Sequence, residues 1–220
     1  MGGRVVEGTG LENRQAGNRL VGSNPTPSAT RTKNANAGRR ANATGRRERK
    51  ISELLEALRA FDGKAVSILS EARARFGGSD DFLGELATLV ASQEGSVSDG
   101  ATWLIKNCAE SGVVPGPEAV AAIVARLDGV DSWGAVLHLC QTAEYFAFTP
   151  DQARRFGEWA AEFLDHKRPF LRAWSMDALQ RAARQAPDLA PLAEKALIGA
   201  ESDSAASVRA RARNVRAEIR

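Results

Sequence analysis

Apolar residues recur at helical spacing along most of the chain, beginning at Ile51. In the first such segment, residues 52–61, they lie one, three and three positions apart, which places them on one face of a helix. Asp62 and Gly63 end this segment with residue types that favour a turn. Nine more segments of the same kind follow, near residues 64–76, 82–90, 97–110, 117–127, 133–143, 150–164, 167–179, 189–197 and 208–219. The pattern predicts an all-α fold for residues 51–220.

Taken in pairs, the predicted helices repeat at a nearly constant interval. The first apolar residue of each second helix serves as an anchor, and the anchors Phe61, Val97, Trp133, Leu171 and Val208 are 36, 36, 38 and 37 residues apart. Four positions later the side chain is mostly small: Ala65, Ala101, Leu137, Ser175 and Ala212. One helix pair cannot bury its own apolar face and must stack on the next. The period therefore predicts an α-solenoid of about five helix pairs, with an irregular helical bundle as the alternative.

The stretch 167–179 resembles the second helix of a HEAT repeat. A proline-containing turn leads into Leu171 and Arg172, an aliphatic residue followed by arginine. Small or apolar residues follow four, seven and eight positions after Leu171: Ser175, Ala178 and Leu179. The last unit repeats the pair as Val208 and Arg209, whereas the first unit lacks the arginine and the third lacks the pair. The resemblance implies a HEAT-like α-solenoid, and no tetratricopeptide signature competes with it.

The basic balance of the chain belongs to its first 50 residues. Residues 1–50 hold 11 Lys+Arg and 3 Asp+Glu, a net charge of +8, whereas residues 51–220 hold 19 and 24, a net charge of −5. Because residues 1–50 lack hydrophobic periodicity, we expect a disordered basic tail. Gly22–Pro25 resembles a translated T-arm of a tRNA gene, and Arg14–Val21 is similar to the preceding part of such a gene. The tail is thus interpreted as a mis-annotated translation start or, alternatively, a genuine basic arm.

Composition excludes several classes of site and of protein. No segment is long and apolar enough for a membrane span or a signal peptide, so we expect a cytoplasmic protein without membrane contact. Cys108 and Cys140 lie within apolar patterns and are predicted to be buried, reduced thiols. The two histidines match no ligand motif, so no metal or cofactor is predicted. No catalytic signature is present, and enzymatic activity is not favoured.

Surface positions of the second helices offer a candidate binding face. Positions one, five, six and nine after each anchor are predicted to point away from the buried stripe. The candidate protein-binding residues are Trp103, Lys106, His138, Thr142, Tyr145, Arg172, Met176 and Gln180, with Leu139 and Asp177 at equivalent positions. Trp, Tyr, Met and Arg are residue types that interfaces prefer. The alternatives are that Trp103 and Leu139 fill gaps between helices, and that Arg172 bonds helix ends or acidic neighbours.

The sequence therefore predicts a non-enzymatic HEAT-like scaffold or adaptor that binds another protein through its second helices. The identity of that protein and the oligomeric state are not predicted. The alternative is a HEAT-like DNA-binding protein, or an enzyme similar to the HEAT-like alkylpurine DNA glycosylases, in which Trp103, Asp177 and Arg172 would line a cleft. Because residues 51–220 are acidic, and a DNA cleft needs positive potential, nucleic acid is disfavoured. A third possibility is a HEAT-like lyase that attaches chromophores, but the sequence has no residue that distinguishes this class.

Overall fold

The computed structural model describes residues 49–79 and 81–219. The predictions for residues 1–48, a disordered tail that resembles translated tRNA gene, lie outside the described residues. Within the described ranges all regular structure is helical and no strand occurs, which confirms the all-α class. No helix in these ranges is both long and apolar enough to cross a bilayer.

All ten predicted helices form in the described part of the chain. Their bounds are α1 (49–59), α2 (Val66–Phe76), α3 (Phe82–Leu89), α4 (Gly95–Glu110), α5 (Pro117–Val124), α6 (Trp133–Thr142), α7 (Pro150–Ala161), α8 (Pro169–Ala183), α9 (Ala190–Glu201) and α10 (Ala206–Ile219). Short 3-10 turns cover Leu127–Gly129, Ala143–Tyr145 and Pro187–Leu189.

Local sequence sets where several of these helices begin. Pro150 occupies the first turn of α7, where its missing N–H has no intrahelical partner to lose. Thr149 and Gln152 form a capping box: the Thr149 Oγ1 accepts the Gln152 backbone N–H at 3.3 Å, and the Gln152 Oε1 accepts the Thr149 N–H at 2.9 Å. Gly112 has φ 86° in the turn after α4, a conformation that glycine adopts without strain.

The helices pack in two layers that follow the order of the chain. In one layer α2 contacts α4, α4 contacts α6, α6 contacts α8 and α8 contacts α10. In the other layer α3 contacts α5, and α5 contacts α7. Helices α3 and α4, α7 and α8, and α9 and α10 also pack within their pairs, and α9 rests on α8 and α10 while barely touching α7. The layer formed by α2, α4, α6, α8 and α10 is called the second-helix layer below.

The core runs along the interface between the layers. Its middle is aromatic: Phe146, Phe148, Phe156, Trp159 and Phe163 form a chain of ring contacts with centroids 5.0 to 5.9 Å apart. A smaller apolar cluster joins α8, α9 and α10, and consists of Ala173, Met176, Leu197, Ala200, Val208, Ala212 and Val215. The last helix pair is therefore held by fewer and smaller apolar side chains than the centre of the chain.

Burial corrects the repeat register in the third pair. Val97, Leu171 and Val208 are buried as expected of anchors, but the prediction of Trp133 as an anchor is wrong, because its side chain is 47% exposed. The Arg168 guanidinium stacks on the Trp133 ring, 4.1 Å from its centroid. Ala135 occupies the buried position instead, with no exposed surface. The predicted first anchor, Phe61, is buried but lies between α1 and α2, outside both helices.

Candidate functional site

The outer surface of the second-helix layer carries a continuous polar and aromatic stripe. Residues three, four or seven positions apart share one side of a helix, which groups Trp103, Lys106 and Glu110 on α4. The same spacing groups Trp174, Asp177 and Arg181 on α8. We call the whole surface the second-helix face, and its residues are Trp103, Lys106, Glu110, His138, Gln141, Tyr145, Trp174, Asp177, Arg181, Arg211 and Glu218.

Between α4 and α6 the face is built around a neutral histidine. The His138 Nδ1 lies 3.2 Å from the Thr102 Oγ1, which is also within 2.9 Å of the Ser98 carbonyl and 3.1 Å of the Asp99 carbonyl. Burial lowers the pKa of His138 to about 4, although the nearby Asp99 carboxylate opposes this shift. Lys106 lies beside it and pairs with Glu110 at 2.6 Å. His138 therefore fixes α6 against α4 as an uncharged side chain at neutral pH.

Between α8 and α10 the face contains a buried carboxylate held by two arginines. The Asp177 side chain is only 4% exposed, and it accepts hydrogen bonds from the Arg211 Nε at 2.9 Å and the Arg181 Nε at 3.2 Å. Arg211 adds a second, shorter contact through Nη2. Arg181 also pairs with Glu218 of α10 at 2.7 Å and lies 3.8 Å from Glu144. A single charged network thus joins the 3-10 turn after α6 to the second half of α8 and to α10.

Trp174 completes the face and was missed by the sequence reasoning. Its ring is half-buried, and the Arg211 guanidinium stacks on it, 3.6 Å from the centroid. Positions three, six and ten after Leu171 share one stripe at 3.6 residues per turn, so Trp174, Asp177 and Arg181 could have been grouped from spacing alone. The prediction used positions one, five, six and nine, which fall on two sides of the helix.

The structure divides the sequence-predicted face residues into a half-buried set and a buried set. Trp103, Lys106, His138 and Tyr145 are half-buried and lie on the second-helix face. Thr142, Met176 and Gln180 are at most 7% exposed, so they offer no side chain to a partner; Leu139 and Asp177, named beside them, are also buried. The Thr142 Oγ1 donates to the His138 carbonyl at 2.7 Å. The Gln180 Nε2 donates to the Ala193 carbonyl at 2.6 Å, which ties α8 to α9.

Arg172 lies away from the face and bridges successive helix pairs. Its Nε and Nη2 donate to the two carboxylate oxygens of Asp203, each at 2.8 Å, and its Nη1 donates to the His166 carbonyl at 2.9 Å. The Arg172 guanidinium holds the pKa of Asp203 below its usual range. The Asp203 Oδ1 also accepts the Ala205 N–H at 2.7 Å, just before α10 begins. Arg172 thus makes the contact with an acidic neighbour that was the alternative expectation for it.

A groove opens beside Arg172, and we call it the α9 groove. Its volume is about 600 Å³, and it is bounded by residues 164–167, by α9 and by the first turns of α8 and α10. Its lining residues are Leu164, Asp165, His166, Lys167, Arg172, Met176, Leu192, Lys195, Ala196, Gly199, Ala200, Asp203, Ser204 and Val208. Two residues of the predicted face, Arg172 and Met176, therefore line a cavity rather than the outer surface of the layer.

The titratable groups outside these places offer little chemistry. In residues 49–79 and 81–219, no three His, Cys, Asp or Glu side chains come together as a metal site. Both cysteines are buried and unpaired as disulfides. Burial raises the pKa of Cys140 to about 12, and it also raises the pKa of Cys108. Because the thiolate is the nucleophile, both thiols are held in their unreactive form.

The second-helix face and the α9 groove are thus the two candidate contact sites that we consider in the described part of the chain. Comparison of the chain with protein-family models, with curated proteins and with solved structures yields no match.

Proposed function

We propose that this chain is a HEAT-like α-solenoid that works as a non-enzymatic adaptor and binds another protein through the second-helix face. The observation that carries the proposal is the pair of half-buried tryptophans, Trp103 and Trp174, set in a surface whose charged groups are already paired with one another. Tryptophan, tyrosine and arginine are the residue types that dominate the binding energy of protein interfaces.

The solenoid part of the proposal is supported by contacts between helices two places apart in the chain. Such contacts connect each member of the second-helix layer to the next, as a stack of similar pairs requires. The Arg172 guanidinium bonded to Asp203 adds a polar link between the fourth and fifth pairs. After the third anchor moves to Ala135, the interval between anchors stays between 36 and 38 residues from Val97 to Val208.

The charge balance of the face favours a protein partner over nucleic acid. Its three cations, Lys106, Arg181 and Arg211, are matched by three carboxylates, Glu110, Asp177 and Glu218, in direct ion pairs. Phosphate binding needs Lys or Arg side chains that are available to displace counterions. A neutral face rimmed by paired charges, with tryptophan at two points, fits the apolar and polar mixture of a protein interface.

The glycosylase-like alternative depends on Trp103, Asp177 and Arg172 lining one cleft. Asp177 is held by Arg211 and Arg181, and Arg172 is held by Asp203. Neither the carboxylate nor the guanidinium is available to a flipped base in this arrangement. The adaptor proposal therefore stands ahead of the DNA-repair alternative.

The test is a pull-down with the full chain as bait, followed by mass spectrometry of the retained proteins. The Trp103→Ala/Trp174→Ala variant removes both tryptophans of the face, and Trp133→Ala removes an exposed tryptophan outside it. We expect a protein that binds the wild type and Trp133→Ala and is lost from the double variant, since a hot-spot tryptophan contributes about 2 kcal/mol or more.

Lys106→Glu provides a second variant that alters the face without opening the core, because the Lys106 head group is already partly exposed. Circular dichroism of each bait separates lost binding from lost folding. A partner retained equally by all baits would place the interface elsewhere. Nuclease-sensitive retention of DNA or RNA in place of a protein would support the nucleic-acid alternative.

A further inference from the structure

The α9 groove lies where α9 does not continue the layer formed by α3, α5 and α7. Helices α3, α5 and α7 follow one another in contact, whereas α9 packs on α8 and α10 and barely touches α7. The space between residues 164–167 and α9 is left unfilled, with α8 and α10 beneath it. Its volume of about 600 Å³ is within the range of about 300–1,000 Å³ that is typical of small-molecule sites.

The groove has an apolar floor, whose accessible side chains are Leu164, Leu192 and Ala196, and the middle of its α9 wall is built from small residues. Met176, Ala200 and Val208 are buried below it. Ala196 and Gly199 line the wall, and a Cβ placed on Gly199 would meet nothing within 4 Å. Among residues 49–79 and 81–219, no large side chain fills the space beside Gly199, and an apolar group placed there would be removed from water.

The rim of the groove carries positive charge that is not neutralised by ion pairs. Lys167 and Lys195 are exposed on opposite walls, and no carboxylate of the described residues lies within 4.0 Å of either ammonium group. Arg172 and Asp203 neutralise each other, which leaves Asp165 as the remaining acid of the lining. The His166 Nδ1 accepts the Arg168 N–H at 3.1 Å.

From this apolar floor and cationic rim we infer that the α9 groove binds a small amphipathic organic anion. Its apolar body would rest on Leu164, Leu192 and Ala196, and its acidic group would lie beside the Lys195 or Lys167 ammonium. An ammonium on an exposed rim attracts an acidic group at little desolvation cost, while an apolar floor favours the carbon skeleton. This site is separate from the second-helix face, so it does not depend on the proposed adaptor function.

The experiment uses the full chain and two fluorescent probes with similar aromatic bodies. The first is 8-anilinonaphthalene-1-sulfonate, which carries an acidic group, and the second is N-phenyl-1-naphthylamine, which is neutral. Lys195→Gln should weaken binding of the sulfonate about fivefold, as an exposed ion pair allows, and leave the neutral probe unchanged. Lys64→Gln, at an exposed lysine near the other end of the fold, is the matched control and should change neither probe.

Gly199→Leu tests the apolar part of the groove. The leucine side chain enters open space, and leucine favours a helix more than glycine does, so the variant should fold and melt no lower than the wild type. We expect it to abolish saturable binding of both probes. Decanoate should displace the sulfonate probe from the wild type, whereas decyltrimethylammonium, with the same chain length and opposite charge, should not.

Three outcomes would overturn the inference: no saturable binding to the wild type, binding that survives Gly199→Leu, or equal displacement by the anionic and cationic competitors. If Gly199→Leu does not fold, the inference is tested by Lys195→Gln alone. That variant must weaken binding of the sulfonate probe and leave binding of the neutral probe unchanged. The pull-down on the second-helix face has a separate readout, so failure at one site leaves the other proposal standing.

Discussion

The ion pair between Asp177 and Arg211 stabilises the last helix pair. Asp177 is almost completely buried, and Arg211 contributes two of its hydrogen bonds as well as a stacking contact on Trp174. The perturbation we choose is Arg211→Met, because methionine has a similar length and keeps the apolar stem while it removes the guanidinium.

The expected cost follows from what remains around Asp177. After Arg211→Met the carboxylate keeps one contact, from the Arg181 Nε at 3.2 Å, while Arg181 is shared with Glu218. Removing one partner of a buried ion pair costs about 3–5 kcal/mol when the remaining charge has no other partner. Arg181 compensates in part and Arg211 is itself partly exposed, so we expect destabilisation of about 2–3 kcal/mol.

Urea denaturation followed by far-ultraviolet circular dichroism measures this change. The matched control is Arg213→Met, two positions along α10, where the side chain is exposed and makes no ion pair with the described residues; a change within about 0.5 kcal/mol is expected there. Asp177→Leu/Arg211→Met removes both charges together and should be more stable than Arg211→Met alone, because no buried carboxylate is left uncompensated.

The reasoning is refuted if Arg211→Met and Arg213→Met have the same stability. It is also refuted if the unfolding free energy lost in Asp177→Leu/Arg211→Met equals the sum of the losses in Asp177→Leu and in Arg211→Met. Two residues in direct contact are coupled, so their effects should not add. Because α10 contacts only α8 and α9 extensively, the last pair can unfold before the rest. Hydrogen exchange of α9 and α10 amides, measured beside the global transition, identifies such a local opening.

Three further predictions test the register, the titration and the burial of the core. Ala135→Leu should destabilise the fold by about 1–3 kcal/mol by overpacking a buried site, whereas Trp133→Ala should cost under about 1 kcal/mol of unfolding free energy because its ring is half exposed. His138 has a folded pKa of about 4 against an ordinary value of 6.5, so the unfolded chain binds its proton first; stability should fall by up to about 3 kcal/mol as pH drops through that window, less in His138→Gln. In native protein at pH 8 neither Cys140 nor Cys108 should react with a disulfide reagent, and both should react in urea.

Helix content could be predicted because it depends on local spacing. Every predicted helical segment has a helix at its position, and the anchors Val97, Leu171 and Val208 are buried. The third anchor failed because tryptophan is apolar in any sequence pattern, yet its ring is stable on the surface when an arginine stacks on it. Ala135 is small and gives a weak apolar signal, although it occupies the position of closest approach.

The face could be predicted only in part, because exposure depends on contacts from distant segments. Met176 follows Arg172 by one helical turn, but it is covered by α9 and α10, which no local pattern reveals. Gln180 is a polar residue in the sequence and a buried one in the fold, because the Ala193 carbonyl accepts its amide proton. Asp177 is buried for the same kind of reason, since its partner Arg211 lies 34 residues further along the chain.

The polar contacts between successive second helices explain how such small apolar side chains specify one arrangement. Arg73 with Asn107, Thr102 with His138, Cys140 with Ser175, and Asp177 with Arg211 are separated by 34, 36, 35 and 34 residues, about one repeat in each case. Interfaces built from alanine and leucine tolerate sliding by a helical turn, whereas a misplaced buried polar group loses its hydrogen bond. The polar contacts therefore fix the register of each helix on the next, and the face that they support is preorganised.

Preorganisation reduces the entropy lost on binding. A partner of the second-helix face would therefore meet Trp103 and Trp174 at a fixed separation. A variant that shifts the register of one second helix on the next should weaken binding without altering either tryptophan.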